Sequence, residues 1–337
     1  MTGQPAPRAS FAISCHSYGR YLASALDSIL EQRGCELEVV VVDDASTDET
    51  ARVLESFAGE PRVRVVRHQS RRGHMHSNNE GIAMTRGEFV GIFDADDFLL
   101  RRDAVARKIE VFDRNPKVGF VYSAYELVDV EGRPFRLFRP WPEDYVRSGL
   151  EEFRHLVRAC YVPHSSTLVR RAFHEHPDQI YDATLTHSAD WDIWLRIAAR
   201  SDVGYIADAL QAYRQHPSQM STKTMSPRVA TDQLLRTIDK AFSALEPAAA
   251  AELAPLRRAA VESALLHETR TDRSLGRIRR SWAGLLDSVR RAPRLLASAP
   301  FYWAFARLVL LTIVGQGRYQ RLVSTRDRVV GGKGAVA

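Results

Sequence analysis

Two short acidic runs are the residues of this chain best suited to chemistry: Asp94-Ala95-Asp96-Asp97 and Asp43-Asp44. Three carboxylates within four residues repel one another unless a cation sits among them. Hard divalent cations take oxygen ligands, and magnesium is commonly held by one or two carboxylates together with phosphate oxygens. A metal–diphosphate site is therefore one reading of the longer run. An acidic helix start before Phe98 is the other, because Asp is favoured at helix N-termini. In Asp43-Asp44-Ala45-Ser46, Asp44 has the chemistry to accept from a base or a ribose, whereas turn formation is the common fate of such a run.

The elements that must position these residues follow from periodicity. Residues 9–15 read as a strand, and Tyr21, Leu22, Ala25, Leu26, Ile29 and Leu30 recur at helical spacing, with Gly34 as a stop. Residues 37–42 form an almost wholly apolar run, as in a strand buried on both faces. Ser46 with Glu49 predicts a capping box opening a helix through Phe57. A strand at 63–66, a helix at 77–85, a strand at 88–93 running directly into Asp94, and a helix ending at Asn115-Pro116 complete the pattern. Alternating strands and helices predict an α/β fold with a mostly parallel, doubly covered sheet. In such sheets ligands bind beyond the carboxyl ends of the strands, which is where both acidic runs fall. Beyond residue 119 the strands take on antiparallel character, with a turn at Glu131-Gly132. A strand at 165–169, a helix at 189–200 and two short strands at 203–206 and 210–214 follow.

The chain has 337 residues, 45% apolar and 26% charged, which excludes a disordered chain and is enough for two domains. The longest apolar stretch, 301–314, is interrupted by Arg307, so no membrane span is predicted; nor does the N-terminus read as a signal peptide. Cys15, Cys35 and Cys160 form no CxxC pair, which points to a reducing, cytoplasmic setting without disulfides or structural zinc. The net charge of +6 is uneven: from residue 251 onward sixteen Lys and Arg face six Asp and Glu, a balance of +10, leaving −4 on the first 250 residues. Residues 226–337 read as a separate helical, basic region, Ala-, Leu- and Arg-rich. There Arg277, Arg279, Arg280, Arg290, Arg291 and Arg294 accompany Trp282 and Phe301-Tyr302-Trp303. This pattern fits peripheral contact with an anionic membrane surface, or packing of an apolar face on the catalytic domain or on a second subunit of a homo-oligomer. No basic-aromatic module predicts a nucleic-acid partner.

The segments CHSYGRYLASALDSILEQ, VVVDDASTDET, NNEGIAMTRGEFVGIFDADD, ADWDIWLRIA and YRQH occur in the order and spacing of the family 2 inverting glycosyltransferases, so that residues 8–220 resemble that family. The resemblance implies the GT-A fold over 1–225. It also implies transfer of a sugar from a nucleotide-sugar donor, a UDP-sugar first, to a hydroxyl of a glycan or lipid-linked acceptor in cell-envelope polysaccharide synthesis. Magnesium or manganese would assist. By the same resemblance Ser14, His16 and Asp44 lie near the nucleotide, Asp94 on the ribose or phosphate side, and Asp96 and His216 on the metal, with Asp97 sharing that task. Asp190 becomes the catalytic base, with Asp192 its competitor, although Ala189 stands where the family often has Glu. Asn79 and Gly81 match the segment before the acidic run. The family's basic residue there is Asn78, for which Arg71, Arg72 or His74 could substitute. His164, Ser165 and Ser166 fall on the acceptor side, or serve only to satisfy a turn. His74 and His76 otherwise suggest a metal pair or, as is usual for loop histidines, solvated side chains, the second reading being favoured. A catalytically silent, sugar-nucleotide-binding subunit is the alternative. A nucleotidyltransferase is disfavoured, because Ser14 to Tyr21 holds one glycine and one arginine, too few for a phosphate loop.

Overall fold

The structure is a computed structural model that describes residues 7–173, 180–219 and 226–319. The chain divides into two compact units, Met1–Gln219 and Met220–Ala337.

The first unit runs β1 (Ala9–Cys15), α1 (Gly19–Leu30), β2 (Leu37–Asp43), α2 (Thr50–Ser56), β3 (Val63–Arg67), α3 (His74–Met84), β4 (Phe89–Ile92), β5 (Phe98–Leu99), α4 (Ala104–Arg114), β6 (Val118–Val128), β7 (Pro134–Phe138), β8 (Tyr145–Arg147), α5 (Gly149–Leu156), β9 (Thr167–Arg170), α6 (Ala189–Ala198) and β10 (Asp202–Arg214). The strands form one sheet in the order β3-β2-β1-β4-β9-β6-β10-β5, with β7 on β6 and β8 on β10. β1 to β4 pair in parallel. β9 is antiparallel to both β4 and β6. β1 and β2 are buried along their whole length, as the apolar run at 37–42 requires. Phe11, Ile13, Leu22, Leu26, Val39, Val41, Phe89 and Phe112 share one core. α3 lies close on β1 because residue 81 is glycine: a Cβ there would meet the Ala12 Cβ at 3.2 Å.

Three elements depart from the sequence reading. The helix expected from Ser46 starts at Thr50, and there is no capping box. Ser46 Oγ instead accepts from the Ser17 amide (2.8 Å). Asp48 accepts from the amides of Thr50 (3.1 Å) and Gly19 (2.9 Å), so one carboxylate ties the starts of α1 and α2. The two short strands expected at 203–206 and 210–214 are one strand, β10, with irregular register against β6 between Ile206 and Gln211. The irregularity breaks the alternation that marks a continuous strand. α3 begins at His74, three residues before its expected start.

The second unit is helical: α7 (Pro227–Ser243), α8 (Pro247–Glu252), α9 (Ala254–Leu265), α10 (His267–Ser274), α11 (Ile278–Arg291) and α12 (Ala299–Val314). Leu265, Leu266, Leu285, Leu295, Phe301, Leu308 and Leu311 form its core. Two buried hydroxyls on α11 reinforce the packing: Ser281 donates to the Thr269 carbonyl and Ser288 to the Leu265 carbonyl, each at 2.7 Å. No helix among the described residues is long and apolar enough to cross a membrane.

Candidate active site

The carboxyl ends of β1, β2 and β4 deliver the acidic runs to one edge of the sheet. The two residues there with positive φ that are not glycine, Ser17 (59°) and Ala45 (57°), lie two residues beyond the ends of β1 and β2. Left-handed backbone at non-glycine residues is costly and tends to persist at functional sites.

Asp44 is almost fully buried, and its carboxylate accepts from three donors: the amides of Arg72 (2.7 Å) and Gly73 (2.8 Å), and His68 Nδ1 (2.8 Å). Gly73 has φ 99°, which lets its N–H turn toward the carboxylate. Burial raises the Asp44 pKa, but the Arg72 amide, His68 and the Gly73 amide hold it below the usual carboxylate range. Asp44 thus fixes the loop leading into α3. Its own amide donates to the Cys15 carbonyl (2.8 Å). His16 Nδ1 donates to the Asp44 carbonyl (2.7 Å), because a carbonyl can only accept. Asp43 accepts from the Ser46 amide (3.0 Å), the turn-forming role. Ser14 Oγ meets His74 Nδ1 at 2.5 Å.

The run at 94–97 is sorted by β10. Asp97 is buried, and its two oxygens accept from Gln211 Nε2 (2.7 Å) and the Arg214 amide (2.9 Å). Burial, with the charges of Asp96 and Asp94, pushes its pKa well above the usual range. Asp97 therefore anchors the loop from inside, and the expectation that it shares the metal does not fit this orientation. The Arg214 guanidinium donates to the carbonyls of Asp96 (2.8 Å) and Val130 (2.9 Å) and lies over the Tyr21 ring. Asp94 and Asp96 keep 25% and 15% of their side chains exposed, which leaves both accessible to a ligand.

Asp96 Oδ2 and His216 Nε2 stand 2.9 Å apart. His216 Nδ1 is held by Ser218 Oγ (2.8 Å), and the ring packs against Tyr21 and Tyr18. Two lone-pair atoms so placed need a proton or a cation between them. Their spacing matches adjacent corners of an octahedron with bonds of about 2.1 Å. A polar contact on the far nitrogen is the usual support for a ligating imidazole. The pair therefore fits a divalent cation. A second group, His74, Asp94 and His164, brings one ligand atom from each residue within 4.8 Å of one another. His74 is thus no solvated loop histidine, and burial lowers its pKa. His76, half exposed beside Glu80, stays outside the group.

Asp190 lies in the first turn of α6, accepts from the Trp191 amide (2.7 Å), and has Cys160 Sγ 3.7 Å from Oδ2. Its charge reaches Asp94, whose pKa is pushed up to about 7 by burial first, then by Asp96, with Asp190 adding to the effect and His74 opposing it. Asp192, the competitor, is fully buried and ion-paired with Arg196 (2.9 Å) one turn on. The Asn79 amide brackets the Tyr181 backbone, donating to its carbonyl (2.9 Å) and accepting from its N–H (2.8 Å). Asn78 contacts His74 Nε2 (3.2 Å). Arg72 Nη1 reaches Glu80 at 3.6 Å, and Arg71 is exposed. Ser165 accepts from the Asp94 amide (3.0 Å) and its hydroxyl also supports the Asp94 and Asp97 carboxyls, whereas Ser166 donates to the Pro163 carbonyl (2.8 Å). His164 has its Nδ1 4.0 Å from Asp94 and its buried Nε2 without a hydrogen-bond partner among the described residues.

Sequence reasoning did not single out Arg214, Gln211 or Ser218. Arg214 had a local signal in the Tyr213-Arg214 pair before His216; Gln211 had none.

Residues 10–176 match the family described as glycosyl transferase family 2, and through this segment the chain belongs to that family. It is 29% identical to chondroitin synthase of Escherichia coli over 199 residues, 59% of this chain and 27% of that protein. It is 32% identical to the succinoglycan biosynthesis protein ExoO of Rhizobium meliloti over 132 residues, 39% of this chain and 37% of that one. The chain thus spans well under half the length of these relatives. Among solved structures, residues 1–349 of S. aureus TarS in complex with UDP-GlcNAc superpose with a TM-score of 0.67 at 17% identity, covering 92% of both chains. A mannosyltransferase of Pyrobaculum calidifontis in complex with GDP-Man and Mn2+ superposes at 0.55 and 19% identity, covering 97% of this chain and 86% of that one. The fold is GT-A with a helical C-terminal region.

Proposed function

We propose that the chain is an inverting, metal-dependent glycosyltransferase of polysaccharide assembly. It moves a sugar from a nucleoside-diphosphate donor, a UDP-sugar first, to a hydroxyl of a glycan or lipid-linked acceptor. The observation that carries this reading is geometric: Asp96 Oδ2 and His216 Nε2, from separate stretches of chain, stand 2.9 Å apart, a spacing suited to two ligands of one divalent cation. The charges of Asp96 and Asp190 acting on Asp94 are consistent with carboxylates gathered around such a cation.

Asp96 and His216 would hold the cation, and a divalent ion there supplies a Lewis acid for the diphosphate leaving group. Asp94 faces the donor side, with Ser14 and His16 at the nucleotide end. Asp190 accepts the proton of the acceptor hydroxyl as that oxygen attacks the anomeric carbon. Attack from the face opposite the nucleotide inverts the anomeric configuration. The UDP-GlcNAc in the TarS structure and the Mn2+ in the mannosyltransferase support a nucleotide-sugar donor and a cation. The domain roles follow, with catalysis in 1–225 and association through the basic region 226–337.

The test is a panel of nucleotide sugars incubated with the full chain and Mn2+, with nucleoside diphosphate release as readout. Release from one donor, abolished by EDTA, is expected. Donor binding without release, with any acceptor class, would replace the enzyme by a silent binding subunit.

A further inference from the structure

The second unit carries a cavity of about 290 Å³ lined by Leu266, Arg270, Arg273, Trp303, Ala304 and Arg307. Its three arginines differ from those singled out by sequence. Arg277 and Arg291 have carboxylate partners, Asp272 and Asp232. Among the described residues no carboxylate pairs with Arg270, Arg273 or Arg307. Arg270 donates only to Ser263, to its carbonyl (2.6 Å) and its Oγ (3.1 Å). Burial lowers the pKa of Arg270, and Arg273 lowers it further; burial and Arg307 act the same way on Arg273. Three guanidiniums that repel one another around one cavity form a seat for an anion, and the planar fork of Arg suits phosphate oxygens.

The helix beside the cavity is apolar on both faces. α12 buries Phe301, Ala304, Leu308 and Leu311. Its other side exposes Tyr302 (57%), Trp303 (59%), Phe305 (41%), Leu310 (39%) and Ile313 (76%). An apolar surface of this kind marks an interaction site. Trp303 belongs to both features, so the anion seat opens where the exposed apolar side begins.

We propose that the cavity seats the phosphate of an anionic lipid headgroup while the exposed side of α12 lies in the bilayer surface. The complementarity is specific to that occupant. The arginines supply the positive charge, the aromatic rings suit the headgroup level, and the aliphatic side chains suit the acyl boundary. A free phosphate would leave the apolar side uncovered. A second copy of this chain would have to bring a carboxylate to the arginines.

The test uses the full chain in flotation with vesicles of phosphatidylcholine alone and of phosphatidylcholine mixed with phosphatidylglycerol, at low and high salt. Binding to the anionic vesicles only is expected, weakening with salt. Arg273→Gln and Arg307→Gln should each weaken it about fivefold, and Ile313→Ser should weaken it independently of salt. Circular dichroism establishes that each variant is folded, and the salt dependence of the unaltered chain reads the proposal without any variant. Absence of binding to anionic vesicles would overturn it. So would unchanged binding in folded arginine variants, or protection by inorganic phosphate with no vesicle binding. A dimer dispersed by Ile313→Asp, without vesicle binding, would assign the surface to a second copy instead.

Discussion

Asp190→Asn separates positioning from proton transfer. In the folded chain Asp190 Oδ1 accepts from the Trp191 amide at 2.7 Å, and the carbonyl oxygen of Asn can take the same bond. The first turn of α6 therefore keeps its geometry. What the variant loses is the second oxygen, the one 3.7 Å from Cys160 Sγ, which becomes an amide that cannot accept a proton. A general base contributes about 10²–10⁴-fold, so turnover should fall by that factor, equivalent to about 3–5 kcal/mol of activation free energy. Donor affinity should be unchanged within about twofold, because none of the residues placed at the diphosphate end moves. The assay is single-turnover transfer with the donor identified by nucleotide release, alongside calorimetric UDP binding. Asp192→Asn is the control. It removes the charge that Arg196 pairs with but leaves an amide oxygen to accept from Nε, and Arg196 keeps its bond to the Ile180 carbonyl, so it should lower the melting temperature by the equivalent of about 1–2 kcal/mol while its folded fraction still turns over. Near-normal turnover by Asp190→Asn would refute the assignment and move the base elsewhere.

Further outcomes follow from the same structure. Lys108 on α4 is 3% exposed, and burial lowers its pKa to about 7. The unfolded chain binds this proton below about 10.5 and the folded chain only below about 7, so stability gained from shedding the charge rises with pH across that window. Lys108→Met should then stabilise the chain by up to about 5 kcal/mol below pH 7, with the advantage over wild type vanishing by about pH 10. Urea denaturation of both proteins at several pH values reads this directly, and a pH-independent difference would contradict it. Arg214→Met removes the donors to the Asp96 and Val130 carbonyls, and should weaken Mn2+ affinity at least about tenfold, measured by calorimetry. Unchanged affinity would mean that the acidic loop holds its shape without Arg214.

How far the sequence discloses this site depends on the range of each interaction. The strands and the placing of both acidic runs at strand ends follow from local periodicity, because burial on two faces demands unbroken apolar runs. Asp190 is favoured over Asp192 in the sequence by the family resemblance alone; the structure adds that Asp192 is ion-paired with Arg196, four residues on along the same helix face. Asp94, Asp96 and Asp97 were not separable. Which carboxylate turns inward depends on Gln211 and Arg214, more than a hundred residues away. Ser46 shows the same limit, since its hydroxyl serves Ser17 on a neighbouring loop rather than its own helix. His74 acquires its surroundings from Ser14 and Asp94, on β1 and beyond β4, and read alone it looks like a loop histidine.

In the function proposed above, Asp96 and His216 hold the cation that receives the donor's diphosphate. Anomalous diffraction from a crystal of the full chain soaked with Mn2+ and UDP tests it directly. A manganese peak bonded to Asp96 Oδ2, His216 Nε2 and the diphosphate oxygens is the predicted result. UDP bound without manganese between those two residues, or manganese at another site, would contradict it.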